Sequence, residues 1–176
     1  MAAIIAACSE GRLEADVRVV ISPRDATPAT EEAREWGVPV IVIPPSEEGY
    51  GVALMDALSS CSIVCLAGFL RLLPTEVLNG FPGRILNIHP SLLPKFGGKG
   101  MYGIRVHEAV LAAGENESGC TVHLVSEHYD EGAILLQRRC AVLPDDTPET
   151  LAARVLKEEH IAYIQAIKDM IHAQRS

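Results

Sequence analysis

Short apolar runs alternate with amphipathic stretches along most of the chain. Ala2 to Glu10 predicts a helix ending at Gly11, and Val17 to Ser22 a short strand. Thr30 to Trp36 predicts a helix stopped by Gly37, and Val38 to Ile43 a strand closed by Pro44 and Pro45. Ser46 is placed to cap a helix reaching Ser59, with Glu47 and Glu48 as its first-turn charges. Ser62 to Ala67 predicts a buried strand, Thr75 to Asn79 a short helix, and Arg84 to His89 the next strand. Arg105 to Ala113 predicts a helix before Gly114, followed by strands over Cys120 to Val125 and Ala133 to Ala141. Thr147 caps a long amphipathic helix with Pro148 at its first position, running to His172. This alternation predicts an α/β fold: a doubly wound, mostly parallel sheet wrapped by helices, with the final strands free to run antiparallel.

The chain has 176 residues, which suits one domain over residues 1–176, and its 48% hydrophobic content supports a substantial core. The net charge is −8 and no basic cluster occurs, which argues against a nucleic-acid surface. No apolar run reaches the roughly 18 residues a membrane span needs, and no signal peptide is visible, so no membrane partner is expected. Cys8, Cys61, Cys65, Cys120 and Cys140 form an odd set without Cys-x-x-Cys spacing. Free thiols in a reducing, cytoplasmic setting are the expectation. No metal is expected, because no His or Cys cluster joins Cys61 and Cys65.

The candidate chemistry centres on Arg84 to Gly98, R-I-L-N-I-H-P-S-L-L-P-K-F-G-G. Residues two apart in a strand share a face, so Asn87 and His89 project together just before Pro90 ends the strand. Ligands of open α/β sheets bind at the carboxyl ends of strands. An amide donor beside an imidazole suits carbonyl chemistry there: one holds an oxyanion, the other polarises the carbonyl or moves a proton. A bare Asn-x-His also fits a plain structural role, as two polar residues bonded to a turn.

The strings N-I-H-P-S-L-L-P, G-C-T-V-H-L-V and Y-D-E-G-A-I-L-L-Q together resemble the glycinamide ribonucleotide formyltransferase family of purine biosynthesis. The resemblance runs from Met1 to Lys168. It implies a Rossmann-like formyltransferase fold and transfer of a formyl group from 10-formyltetrahydrofolate to the amine of glycinamide ribonucleotide. In that reaction Asn87 donates to the oxyanion, His89 assists as electrophile or acid, and Asp130 manages the amine proton. The polar loop offers Glu127, Asp130 and Glu131, and the resemblance selects Asp130. Leu70, Arg71, Leu72 and Leu73 are implied to line the pteridine site, with Ser126, Glu127, His128 and Tyr129 also on the cosubstrate side. Glu159 is implied to contact the amino-sugar substrate, against a plain reading as part of a solvated helical turn. His123 either faces the site or is a satisfied core histidine. A cis Leu93–Pro94 bond is implied as well. Folate enters as cosubstrate, no metal is required, and a homodimer is left open.

Two segments depart from the family. M-A-A-I-I-A-A-C matches its first helix, but the strand and Gly-Ser/Asn-rich phosphate loop that precede that helix are not among these residues. The chain as written is therefore expected to bind the ribonucleotide more weakly than a member carrying the loop. Glu47 falls where the family often carries an arginine for the folate tail. Gly97 to Ile104 suits a closing loop or an ordinary exposed one. Two other activities remain open at this point: a formyltetrahydrofolate hydrolase sharing Asn87, His89 and Asp130, and an inactive folate-binding fragment.

Overall fold

The structure is a computed structural model that describes residues 1–175. Two compact units form: Met1–Val64 with Leu73–Arg84, and Cys65–Leu72 with the chain from Ile85 onward.

The first unit holds α1 (Ala2–Ser9), β1 (Val20–Ser22), α2 (Pro28–Glu35), β2 (Val40–Val42), α3 (Tyr50–Ala57) and α4 (Thr75–Gly80). β1 and β2 pair in parallel, Val20 opposite Val40 and Ser22 opposite Val42. Both are shorter than their apolar runs, because each pairs over only three residues. α2 starts at Pro28, two residues earlier than expected. Thr27 accepts from the Thr30 backbone N–H while the Thr30 hydroxyl accepts from the Thr27 N–H, a capping box with Pro at the first turn. The helix expected from Ser46 begins only at Tyr50. Pro44 and Pro45 lead into turns closed by Glu47 N–H on Pro44 and Tyr50 N–H on Glu47, and Gly49 takes the cap position with a left-handed φ of 75°. Glu47 and Glu48 thus lie in turns before the helix and are not its first-turn charges. Ile5, Ala7, Leu13, Ala33, Leu54, Val77 and Phe81 are buried in this unit.

The second sheet is four-stranded, in the order β3-β4-β5-β6. β3 (Val64–Leu66) starts at the unit boundary; β4 (Ile85–His89), α5 (Ile104–Ala112), β5 (Glu117–Leu124), β6 (Ile134–Ala141) and α6 (Pro148–Arg175) follow. β4–β5 and β5–β6 are antiparallel, which settles the direction of the last strands. β5 begins at Glu117, not Cys120, because its ladder to β6 extends to Glu117 opposite Ala141. Glycine at 119 permits that pairing: a Cβ there would collide with the Arg138 carbonyl oxygen. α6 packs on β5, β6 and α5 through Leu151, Val155, Ala162, Ala166 and Ile167. Thr147 caps it as expected, exchanging bonds with Thr150. Among the described residues, no helix is long and apolar enough to cross a membrane.

Candidate active site

β4 and β5 place four polar side chains on one face. Asn87 and His89 lie two apart on β4, and the register sets Asn87 opposite His123 and His89 opposite Thr121. Cross-strand partners share a side of the sheet. The side chains meet accordingly: the Asn87 amide nitrogen is 3.1 Å from His123 Nε2.

The hydrogen-bond network assigns the tautomers. His123 Nδ1 is 2.8 Å from the Leu124 carbonyl, which only accepts, so Nδ1 carries the proton. Nε2 of the neutral ring is then an acceptor, and Asn87 must turn an N–H toward it. One Asn87 N–H remains without a partner among the described residues. His89 Nε2 lies 2.8 Å from the Phe96 carbonyl and donates to it, which leaves Nδ1 of neutral His89 as a bare lone pair.

Asp130 stands between the two rings. Its Oδ2 is 3.5 Å from His89 Nδ1 and its Oδ1 is 3.5 Å from His123 Nε2. Both gaps exceed a formed hydrogen bond. Oδ2 also accepts from the Gly98 N–H at 2.8 Å. Burial works to raise the Asp130 pKa, but the His123 contact, the Gly98 N–H and the imidazoles hold it below the usual carboxylate value. Burial lowers the His89 pKa, against the opposing pull of Asp130 and the Phe96 carbonyl. The resting site therefore pairs an ionised carboxylate with a neutral, buried imidazole at neutral pH.

The local backbone is strained where it serves these groups. Phe96 and Asp130 have φ of 55° and 58°, left-handed values that non-glycine residues rarely adopt. Gly132 closes the turn into β6, where a Cβ would collide with the Leu124 carbonyl oxygen.

The structure thus gathers Asn87, His89, His123 and Asp130 into one cluster. Leu70, Arg71 and Leu72 follow β3 and are exposed, Leu70 at 56% and Leu72 at 48%, while Leu73 is half-buried in the other unit. Ser126, Glu127, His128 and Tyr129 lie in the β5–β6 loop that carries Asp130, where the Ser126 hydroxyl accepts from the His128 N–H. Glu159 sits half-buried on α6, where burial raises its pKa. Among the described residues, no hydrogen bond or ion pair joins Glu159 to the cluster. The Leu93–Pro94 bond is cis, as expected.

Sequence reasoning missed the supports behind His89. The Thr121 hydroxyl donates to the Ser91 carbonyl at 2.7 Å and accepts from the Leu93 N–H at 3.0 Å, and Gln137 donates to both Thr121 and the Leu93 carbonyl. The Ser91 hydroxyl donates to the Lys95 carbonyl at 2.7 Å. Together these bonds hold the loop whose Phe96 carbonyl orients His89. His107 of α5 was also missed. It is buried, its Nδ1 has no partner among the described residues, and burial followed by His89 lowers its pKa. The paired spacing of Thr121 and His123 was a usable signal for the first; nothing in the sequence marks the second.

A family model described as formyl transferase matches residues 1–167. The chain is 47% identical over 167 residues to the chloroplastic phosphoribosylglycinamide formyltransferase of Arabidopsis thaliana, covering 91% of this chain and 57% of that protein. It spans little more than half the length of the plant relatives it matches, 57% and 54% for two of them. Its fold matches the crystal structure of glycinamide ribonucleotide transformylase 1 from Symbiobacterium toebii at a TM-score of 0.87 and 42% identity, over 95% of this chain and 79% of that one. It likewise matches phosphoribosylglycinamide formyltransferase from Brucella melitensis at 0.86 and 41%, over 97% and 88%.

Proposed function

The chain belongs to the formyl transferase family, and from that premise we propose that it moves a formyl group from 10-formyltetrahydrofolate to the amine of glycinamide ribonucleotide. The observation that carries this reading is the convergence of Asn87, His89 and Asp130, with an ionised carboxylate set between two imidazoles.

The amine nitrogen attacks the formyl carbon, and the carbonyl oxygen becomes an oxyanion. The Asn87 N–H that His123 leaves unused donates to it. His123 serves as a positioning residue, because its accepting Nε2 sets the rotation of the Asn87 amide. The attacking nitrogen must lose a proton, and the departing folate nitrogen must gain one. Asp130, ionised at rest, takes that proton through a water and returns it. His89 Nδ1 faces the same carboxylate; protonated, it would donate to Asp130 or to the oxyanion, which is the electrophilic role.

On this reading residues 1–176 act as one formyltransferase domain. Leu70 to Leu72 and the 126–129 loop take the folate, Glu159 takes the ribonucleotide sugar, and the site needs no metal. The working compartment is the cytoplasm, which suits five free cysteines. A homodimer is the state to check by sedimentation. Formyl-folate consumption measured with and without glycinamide ribonucleotide tests the proposal: consumption should require the ribonucleotide and yield its N-formyl product. Equal consumption without it, with formate released, would instead mean a hydrolase.

A further inference from the structure

Tyr163 of α6 is 5% exposed, and its hydroxyl meets two backbone carbonyls as well as the Cys65 side chain. The phenol oxygen lies 2.8 Å from the Leu66 carbonyl oxygen and 3.0 Å from that of Leu86. These carbonyls belong to neighbouring strands, β3 and β4. Leu66 is the last residue of β3, where the chain leaves for Leu70–Leu72. Leu86 directly precedes Asn87. A phenol has one proton to donate, so the two carbonyls share it. Burial, reinforced by Cys65, pushes the Tyr163 pKa well above the ordinary phenol range, so the hydroxyl stays a donor across working pH.

A buried tyrosine used only for packing would need one partner for its hydroxyl. Here the hydroxyl bridges two backbones that lead to different parts of the chemistry. One side is the exposed apolar segment with Leu70 and Leu72; the other is the amide that meets the oxyanion. A strand end has no further ladder to hold it, so a fixed donor between β3 and β4 limits how far the segment after Leu66 moves relative to Asn87. A displacement of about 1 Å at a reacting group is enough to slow catalysis by roughly a hundredfold.

We propose that Tyr163 is a positioning residue for formyl transfer: its hydroxyl ties the end of β3 to β4 and so sets the Leu70–Leu72 segment against Asn87. This rests on the formyl-transfer reading above.

Tyr163→Phe keeps the ring and removes the bridge. The expected result is a fall of roughly tenfold in kcat/KM for 10-formyltetrahydrofolate, shared between a higher KM and a lower kcat, with the ribonucleotide KM within about twofold. Val155→Ala, which opens a cavity in the same buried helix face, serves as the stability control: it should lower the melting temperature and leave both KM values unchanged. Wild-type constants in Tyr163→Phe, or the same kinetic change in Val155→Ala, would overturn the proposal. Should Tyr163→Phe fail to fold, amide exchange on the wild-type chain decides. Adding formyl-folate should slow exchange over residues 67–72 and 85–88 together, and slowing over 67–72 alone would overturn the bridge. A wild-type chain that transfers no formyl group would instead defeat the functional reading itself.

Discussion

Asp130 combines a left-handed backbone with a carboxylate that meets two imidazoles and one N–H. Asp130→Asn isolates the charge. Asparagine tolerates left-handed φ, and its Oδ1 can still accept from Gly98 N–H. Folding should therefore survive while proton transfer fails, lowering turnover by about a hundredfold or more. Melting temperature and steady-state rates check both halves; near wild-type turnover would return Asp130 to the solvated loop acids. A second outcome concerns pH. The folded His89 pKa lies below its unfolded value of about 6.5, so on acidification the unfolded chain takes up a proton that the folded chain refuses. The stability from neutral His89 is complete above that unfolded value and is lost as pH falls through the lowered folded one. Asp130 has the same sign further down: its contribution is present above about 3.9 and lost as pH falls through its lowered pKa. Urea midpoints should thus be highest near neutrality and decline first just below pH 6.5. His89→Asn should shrink that first decline without abolishing it, since His107 is shifted the same way. An unchanged slope would mean that His89 titrates alike in both states. At this scale the sequence made Asn87 and His89 legible through their spacing of two. Asp130 stood out from Glu127 and Glu131 only by resemblance. The Phe96 carbonyl and Gly98 N–H were invisible, because every residue carries such groups and only the turn geometry aims them.

The β4, β5 and β6 strands hold the cluster through a few positions that allow no substitute. Thr121 is fully buried, and its hydroxyl satisfies the Ser91 carbonyl and the Leu93 N–H. Thr121→Val keeps the shape and orphans both, which should destabilise the chain by about 2–3 kcal/mol and loosen the loop behind His89. Chemical denaturation gives the first number; a lowered kcat in the folded variant gives the second. Gly132→Ala would drive a methyl into the Leu124 carbonyl and should destabilise by roughly 2–4 kcal/mol, enough to reduce soluble yield. Wild-type stability in either variant would show that the turn relaxes freely. Element types were legible from period and punctuation; boundaries were less so. Ser46 looked like a cap because it precedes two acids, but the Pro44–Pro45 turns delay the helix to Gly49. β5 starts early because its partner β6 reaches that far, a long-range fact that Ser118 and Gly119 do not advertise.

Across the whole chain, the doubly wound α/β class followed from the order of helices and strands, and formyl transferase membership rests on a match over residues 1–167. How the strands divide was not legible: β1 and β2 form one parallel pair, while β3 to β6 form a mixed sheet. Periodicity reports which face of a strand is buried but not which neighbour it pairs with. The same holds for Tyr163, which sits 97 residues from its Leu66 partner. Reaction type is a property of the full chain with both ligands, and formyl-folate turnover reads it most directly. With 10-formyltetrahydrofolate in excess, adding glycinamide ribonucleotide should start tetrahydrofolate release, with one N-formyl product per folate released and negligible turnover in its absence. Formate release at the same rate with and without the ribonucleotide, or no turnover with both ligands present, would contradict formyl transfer.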